Sequence, residues 1–403
     1  MIKVKLNNEI LKYITEIERT EDVPYILVED SFVAIKRLAK FYKSNCNVKT
    51  VGIIGSVGKT STKEMVAAVL GSKYNVVKTE GNLNNEVGVP ITVFSIRDCH
   101  EVAVIEMGIS DFGEMDRLGE IVRPDICVMT NIGPCHLEFL HDLDGVLKAK
   151  TEVFSHMCNG SVAVLNGDDV KLRTVNEVAG RKPVFYGRNT ENEVYATNIE
   201  SMGFDGTNAM IHTKLGSFEA KIVIPGEHMV DNALAATAVG IECGLSLKEI
   251  ARGLKAARTI SGRNNVIETK KFKIVDDCYN ANPKSMKAGI ELLGKVRGRK
   301  VAILGDMFEL GKDENVLHKE IGEYLLKEHI DSVILAGKLS KNIYDVIKVS
   351  SSDIELYYKD STDELIELLK NSNILKEKDT ILVKASHGMN YAKIISFLQE
   401  MGE

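Results

Sequence analysis

Several features are missing from this chain. It has no Cys-x-x-Cys pair, no apolar stretch of signal-peptide type, no hydrophobic run long enough to cross a bilayer and no surplus of positive charge. The seven cysteines are scattered and odd in number, which speaks against a disulfide framework and for reduced thiols in a cytoplasm. The N-terminus, MIKVKLNNEILKYITEIERT, alternates charge with hydrophobe, so neither export nor membrane insertion is expected. Fifty-one Lys and Arg against 57 Asp and Glu give a net charge of −6, which removes any broad attraction to nucleic acid or anionic lipid. No internal repeat or low-complexity tract stands out. At 403 residues, 44% of them hydrophobic, the chain exceeds one ordinary core, and two or three domains are expected.

What is present is a βαβ pattern. From Val51 onward short β-branched runs alternate with helical stretches, the signature of an α/β fold with a mostly parallel sheet covered by helices. Strands are predicted at Val51–Ile54, 75–78, 102–105, 126–130 and 162–165, with a helix over Ser61–Leu70. Between about 184 and 224 the alternating segments NEVYATNIE and GSFEAKIVI predict antiparallel hairpins at one edge. A last helix of this region is expected near 230–243, followed by a hinge near Gly262–Asn265. A second αβ series, with strands at 273–276, 300–304, 332–335 and 380–384, predicts a Rossmann-like C-terminal domain. The expected division is a short N-terminal segment (1–48), a central ATP-binding domain (49–264) and a C-terminal domain (265–403).

The strongest local signal is VGIIGSVGKTSTKEM, a strand running into a glycine turn that opens a helix. Gly55, Ser56 and Gly58 let the backbone wrap a phosphate, Lys59 reaches the terminal phosphates, and Thr60, next to Ser61, offers a hydroxyl to magnesium. The usual pattern has glycine five residues before Gly58; Ile53 stands there, so this is a shortened GSxGKT form. Magnesium needs further hard oxygen ligands, and carboxylates at the ends of neighbouring parallel strands are a natural source. Glu106 ends one such strand, although taken alone it suits a capping or surface carboxylate equally well. His136 and Lys150 follow in TNIGPCH and AKTEVF; alone, each reads more readily as a packed histidine and a solvated lysine.

Taken in order, GSVGKTSTKEM, GNLNNEVGVP, AVIEMGISDFGEMDRL, TNIGPCHLEFL, AKTEVF, LNGDD, PGEHMVDNALAA, SGRNNVI, VDDCYNANPKSM and LGDMFELG resemble the Mur ligase family from about residue 25 to the C-terminus. The resemblance implies an ATP-dependent amide ligase working through an acyl phosphate, and within the family the branch that adds D-alanyl-D-alanine to UDP-N-acetylmuramoyl tripeptide. It implies that Thr60, Glu106, His136 and Lys150 surround two magnesium ions, with Lys150 carbamylated so that a cation becomes an anionic oxygen ligand. Lys59, His136 and Lys150 are then the catalytic set. Asn82, Asn84 and Asn85 would meet the muramyl-peptide substrate, although an Asn-rich turn explains them at least as well. Asn232 would contact adenine, Arg263 the phosphates, and Asp277, Asn280 and Asn282 the nucleotide from the C-terminal side, so that the two domains close during turnover.

The family normally carries a uridine-nucleotide-binding domain with a DSR-type segment and a Gly-Asp-Gly-His stretch before the ATPase. Here VPYILVEDSFVAIKRLAKFYKS resembles only its final strand and connecting helix. Three explanations stay open: a truncated sequence, a separate protein that supplies substrate recognition, or a relative acting on a carboxylate without the uridine handle. His387 and Tyr391 stand where the family usually has arginine and an acidic residue. Two other functions are carried alongside, a ligase for a different carboxylate and a nucleotide-binding scaffold without ligase activity. The partners expected are small molecules, and the chain is expected to be a monomer.

Overall fold

A computed structural model describes residues 28–259, 262–350 and 353–403. The expected N-terminal strand falls largely on residues before 28, outside the described ones. Its helix is present at Ser31–Ser44, capped by Asp30, whose carboxylate accepts from the amides of Phe32 and Val33 at 2.8 and 3.0 Å. Tyr42 fixes this helix to the sheet domain by donating to the carbonyl of Ile96 at 2.7 Å and by an edge contact with Phe94.

The first sheet has nine strands in the order β2-β3-β1-β4-β5-β6-β7-β8-β9. They are β1 (Lys49–Ile54), β2 (Val76–Lys78), β3 (Val102–Glu106), β4 (Ile126–Met129), β5 (Val162–Asn166), β6 (Val184–Gly187), β7 (Val194–Ser201), β8 (Thr207–Thr213) and β9 (Gly216–Ile222). Successive side chains on a strand point to opposite faces, and both faces here are covered. Val51 and Ile53 of β1 enter one core with the helix Lys59–Leu70, while Ile54 enters the other with Met107 and Leu118.

Two sequence expectations need correction. Val184–Gly187 is not part of a hairpin: β6 pairs in parallel with both β5 and β7, and only β7, β8 and β9 form the antiparallel edge. Pairing direction is decided by distant partners, which local alternation does not report. The region also does not end with the helix Met229–Glu242. A further helix, Leu247–Ala256, follows, opened by a Ser246/Glu249 capping box, and packs Ile250 and Leu254 into the same core.

The second sheet, β10-β11-β15-β12-β13-β14, comprises β10 (Asn265–Glu268), β11 (Lys273–Asp276), β12 (Lys300–Gly305), β13 (Ser332–Ala336), β14 (Glu355–Lys359) and β15 (Thr380–Lys384). It is parallel except for β10, which pairs antiparallel with β11. The four strands expected here are present; β10 and β14 are additions at the two edges. Among the described residues no helix is long and apolar enough to cross a membrane.

Candidate active site

The carboxyl ends of β1, β3 and β4 in one sheet and of β11 and β15 in the other face a common cleft of about 330 Å³. Open parallel sheets offer ligand sites at these ends, because loops and helix N-termini gather there. The floor is the loop after β1. Gly55 (φ +148°) and Gly58 (φ +85°) hold backbone conformations closed to most side chains, and a Cβ on Gly55 would stand 1.9 Å from Thr130 Oγ1. Ser56 Oγ accepts from the amide of Gly133 at 2.9 Å and touches Cys135 Sγ at 3.2 Å. The Lys59 ammonium folds back onto the loop, donating to the carbonyl of Gly55 at 2.9 Å, and burial draws its pKa down. Ser61 lines the cleft beside it.

Glu106 is 1% exposed at the end of β3. One oxygen, Oε1, accepts from Thr60 Oγ1 at 3.1 Å and from Asn84 Nδ2 at 2.8 Å. The other, Oε2, is buried without a hydrogen-bond partner, and its nearest cation is the ammonium of fully buried Lys63 at 4.0 Å. A buried carboxylate oxygen left open beside a phosphate loop suits a divalent cation, which takes hard oxygen ligands. Among the described residues no cluster of three or more His, Cys, Asp or Glu gathers. A magnesium ion here would therefore draw most of its ligands from phosphate, hydroxyl and water oxygens.

His136 and Lys150 lie beyond the cleft's lining but within the electrostatic reach of Lys59. Lys150 is 2% exposed, and burial, reinforced by Lys59, brings its pKa down to about 8. At pH 7 about a tenth of it is then the neutral amine, far more than for an ordinary lysine, and the neutral amine is the form that adds carbon dioxide. His136 has a left-handed backbone (φ +52°), burial lowers its pKa, and its Nδ1 stands 3.7 Å from Glu309 of the second sheet's domain.

The three asparagines of the GNLNN loop separate. Asn84 reaches Glu106. Asn85 accepts from the amides of Val87 and Gly88 at 3.2 and 2.9 Å, which starts the helix Gly88–Phe94. Asn82 is exposed and off the cleft. Asn232 lines the cleft close to Gly58, its carbonyl oxygen accepting from Thr62 at 3.0 Å.

The opposite wall comes from the second domain. Arg263 lays its guanidinium 4.1 Å over the Tyr279 ring and keeps a buried Nε without a partner. Asp277 accepts from the Asn264 amide at 3.2 Å and pairs with Lys384 at 2.6 Å; Lys384 also donates to the Asn280 carbonyl at 3.1 Å. Asn282 caps the helix Pro283–Gly294 through the Ser285 amide at 2.9 Å. Sequence reading passed over Lys384, Tyr279, His228 and Lys63. The signal for Lys384 was a charge ending the apolar strand TILVK, and a buried lysine at a strand's carboxyl end needs a partner. His387 is exposed, with its ring 5.5 Å from that of Tyr279. Tyr391 is 1% exposed and packed on Gly305, a core position with no access to the cleft.

Comparison with known proteins agrees with this geometry. The model of the Mur ligase middle domain matches residues 53–240, and that of the Mur ligase, glutamate ligase domain, matches residues 262–387. The chain is 36% identical over 386 residues to the UDP-N-acetylmuramoyl-tripeptide–D-alanyl-D-alanine ligase of Bacillus subtilis, covering 94% of this chain and 82% of that enzyme. It superposes on a crystal structure of MurF from Acinetobacter baumannii with a TM-score of 0.85 at 30% identity, covering 95% of this chain and 84% of that one. MurF from Thermotoga maritima in complex with ADP gives 0.81 at 29% identity, covering 96% and 87%. With two family models together spanning most of the chain, this protein belongs to the Mur ligase family.

Proposed function

We propose that the chain is an ATP-dependent, ADP-forming acid–amino-acid ligase that adds D-alanyl-D-alanine to the free carboxylate of UDP-N-acetylmuramoyl tripeptide, a step of peptidoglycan precursor synthesis. The ligase chemistry is carried by one observation: Glu106, with one buried carboxylate oxygen left without a hydrogen-bond partner, lines the same cleft as the phosphate loop and the charged groups of a second domain. The choice of substrates rests on the relatives, which share that activity in name over nearly the whole chain.

Thr60 and Glu106 would hold magnesium next to the loop, with His136 and a carbamate on Lys150 completing a two-ion site. Magnesium supplies Lewis-acid neutralisation of phosphoryl charge. The chain's own groups act around it. Gly55 to Thr60 orient the triphosphate through backbone amides at the N-terminus of the helix Lys59–Leu70. Lys59 leaves the Gly55 carbonyl and meets charge developing on the transferred phosphoryl group. Arg263 at the hinge and Asp277, Asn280 and Asn282 from the second domain engage the nucleotide, and Asn232 from the first. Ligand contacts from both sides of residues 262–265 imply hinge closure, which keeps water from the acyl phosphate. We assign the muramyl peptide to the neighbourhood of Asn84 and its loop, and take the working unit as a monomer in the cytoplasm, to which a separate protein could supply recognition of the substrate.

The test is incubation with ATP, magnesium, UDP-N-acetylmuramoyl tripeptide and D-alanyl-D-alanine. The expected outcome is phosphate release matched by a pentapeptide product in the mass spectrum. Failure to form it, while a nucleotide-free acid is ligated, overturns the substrate assignment; ATP hydrolysis without any amide overturns the ligase.

A further inference from the structure

The loop after β12, Asp306–Leu310, is pinned along its length. The amide of Met307 donates to His318 Nε2 at 2.9 Å, the amide of Phe308 to Ser386 Oγ at 2.8 Å, and Asp306 Oδ1 accepts from both the amide and the hydroxyl of Ser340 at 2.7 Å. Next comes Glu309, which holds a left-handed backbone (φ +62°) that L-residues seldom adopt. Its carboxylate is 71% exposed, and its one basic neighbour within 4 Å among the described residues is the imidazole of His136, whose Nδ1 lies across the domain boundary at 3.7 Å.

Two further features bear on this carboxylate. The first is the charge around His136. Lys59, in the phosphate loop, is a cation that acts on His136 and repels any other cation approaching from that side; Lys150 adds to this only until it is carbamylated. Of the two acidic groups that act on His136, Glu114 is committed to the backbone amide of Ser110 at 2.6 Å, which leaves Glu309 free to bind. The second is a continuous ledge from the nucleotide cleft to Glu309. Arg263 stacks on Tyr279, the Tyr279 ring meets His387, and the adjoining Gly388 lies against the half-exposed Phe308, so close that a Cβ there would be 3.0 Å from the ring.

An amine arriving at an acyl phosphate is an ammonium ion at neutral pH, because α-amino groups have a pKa of about 8. It must approach against the positive charge of Lys59 on the phosphate side. We propose that Glu309 is the substrate-binding carboxylate that receives the ammonium group of the incoming amine on the C-terminal side of the cleft, opposite His136, with Phe308 supporting the adjoining side chain. This rests on the ligase reading and assigns the amine's place within it.

The experiment compares two nucleophiles on Glu309→Gln, a change of charge at an exposed, nearly isosteric position. D-alanyl-D-alanine arrives as an ammonium; hydroxylamine is mostly uncharged at neutral pH and traps the same acyl phosphate as a hydroxamate. For the variant, kcat/KM for the dipeptide is expected to fall about 10- to 100-fold, the range for a lost charge-assisted hydrogen bond. Hydroxamate formation and ATP affinity by calorimetry stay within about twofold. A matched loss with both nucleophiles would assign Glu309 to orienting His136 and overturn the proposal, as would an unchanged dipeptide rate. Wild-type protein run in parallel separates this from the broader reading. If wild type forms a hydroxamate but no pentapeptide, the dipeptide assignment falls and the proposal with it. If wild type forms both and only the variant's pattern is wrong, the proposal falls alone.

Discussion

Replacing Lys63 with methionine tests the physical basis of the metal-facing carboxylate. Lys63 is 0% exposed and donates to the Thr79 carbonyl at 2.6 Å; its ammonium lies 3.0 Å from Glu64 Oε1 and 4.0 Å from Glu106 Oε2. Methionine keeps the length of the aliphatic stem, so little cavity forms, and the change removes charge rather than packing. Glu64 keeps an ion pair with Lys78, but the open oxygen of Glu106 has no other cation within 4 Å among the described residues. Removing one member of a buried pair costs about 3–5 kcal/mol, against a typical domain stability of about 5–15 kcal/mol. Urea unfolding followed by circular dichroism would read the loss. Hydrogen exchange in peptides from β1 and β3 would assign it to this domain, because a two-domain chain need not melt in one step. Glu106→Gln in the same background separates the terms: if the lysine stabilises the carboxylate, the double variant loses less than the sum of the singles by about 1 kcal/mol or more. Strict additivity, or a Lys63→Met loss under about 1 kcal/mol, refutes the coupling.

Lys150→Ala is expected to be largely inactive and partly restored by added short carboxylates that replace the carbamate's oxygens; full activity in the variant sinks the carbamate. Gly253→Ala forces a Cβ to within 2.4 Å of Val69 Cα, where two helices cross, and is expected to cost about 1–3 kcal/mol by overpacking; an unchanged urea midpoint contradicts it. His318 is buried, with Nε2 accepting from the Met307 amide and Nδ1 2.6 Å from the Glu314 carbonyl, and burial lowers its pKa below 6.5. The folded state therefore refuses a proton that the unfolded chain binds. Stability is fully present above about pH 6.5 and declines as pH falls from there towards the folded-state pKa. His318→Gln should flatten that decline; a wild-type stability independent of pH between about 7.5 and 5.5 would refute it.

The elements that were legible are those whose cause is local. Val51–Ile54 reads as a strand, found as Lys49–Ile54, because β-branched and apolar residues continue to a glycine turn, and Gly-Lys-Thr at that turn is a phosphate signal wherever it follows a strand. β14 was not legible: ELYYK is half-buried throughout and lacks the alternation of a two-faced strand. The three asparagines of the GNLNN loop look equivalent in sequence, yet one donates to Glu106, one accepts from the amides that lead into a helix and one bonds neither. Which is which depends on where β3 ends relative to the loop, a long-range fact. Tyr391, which stands where the family usually has an acidic residue, is a core residue because Gly305 leaves room for its ring.

By itself the sequence determined the α/β class, the phosphate loop and the order of the candidate groups, because each follows from spacing along the chain, and its ordered motifs carried the resemblance to the family. The tertiary structure alone decided which of these groups meet. Lys384 finds Asp277 across 107 residues, the open oxygen of Glu106 is defined by what Thr60, Asn84 and Lys63 do around it, and Glu309 faces His136 from another domain. Such contacts arise from the parallel order of the strands, whose carboxyl ends converge only once both sheets have formed, and no local pattern encodes that convergence.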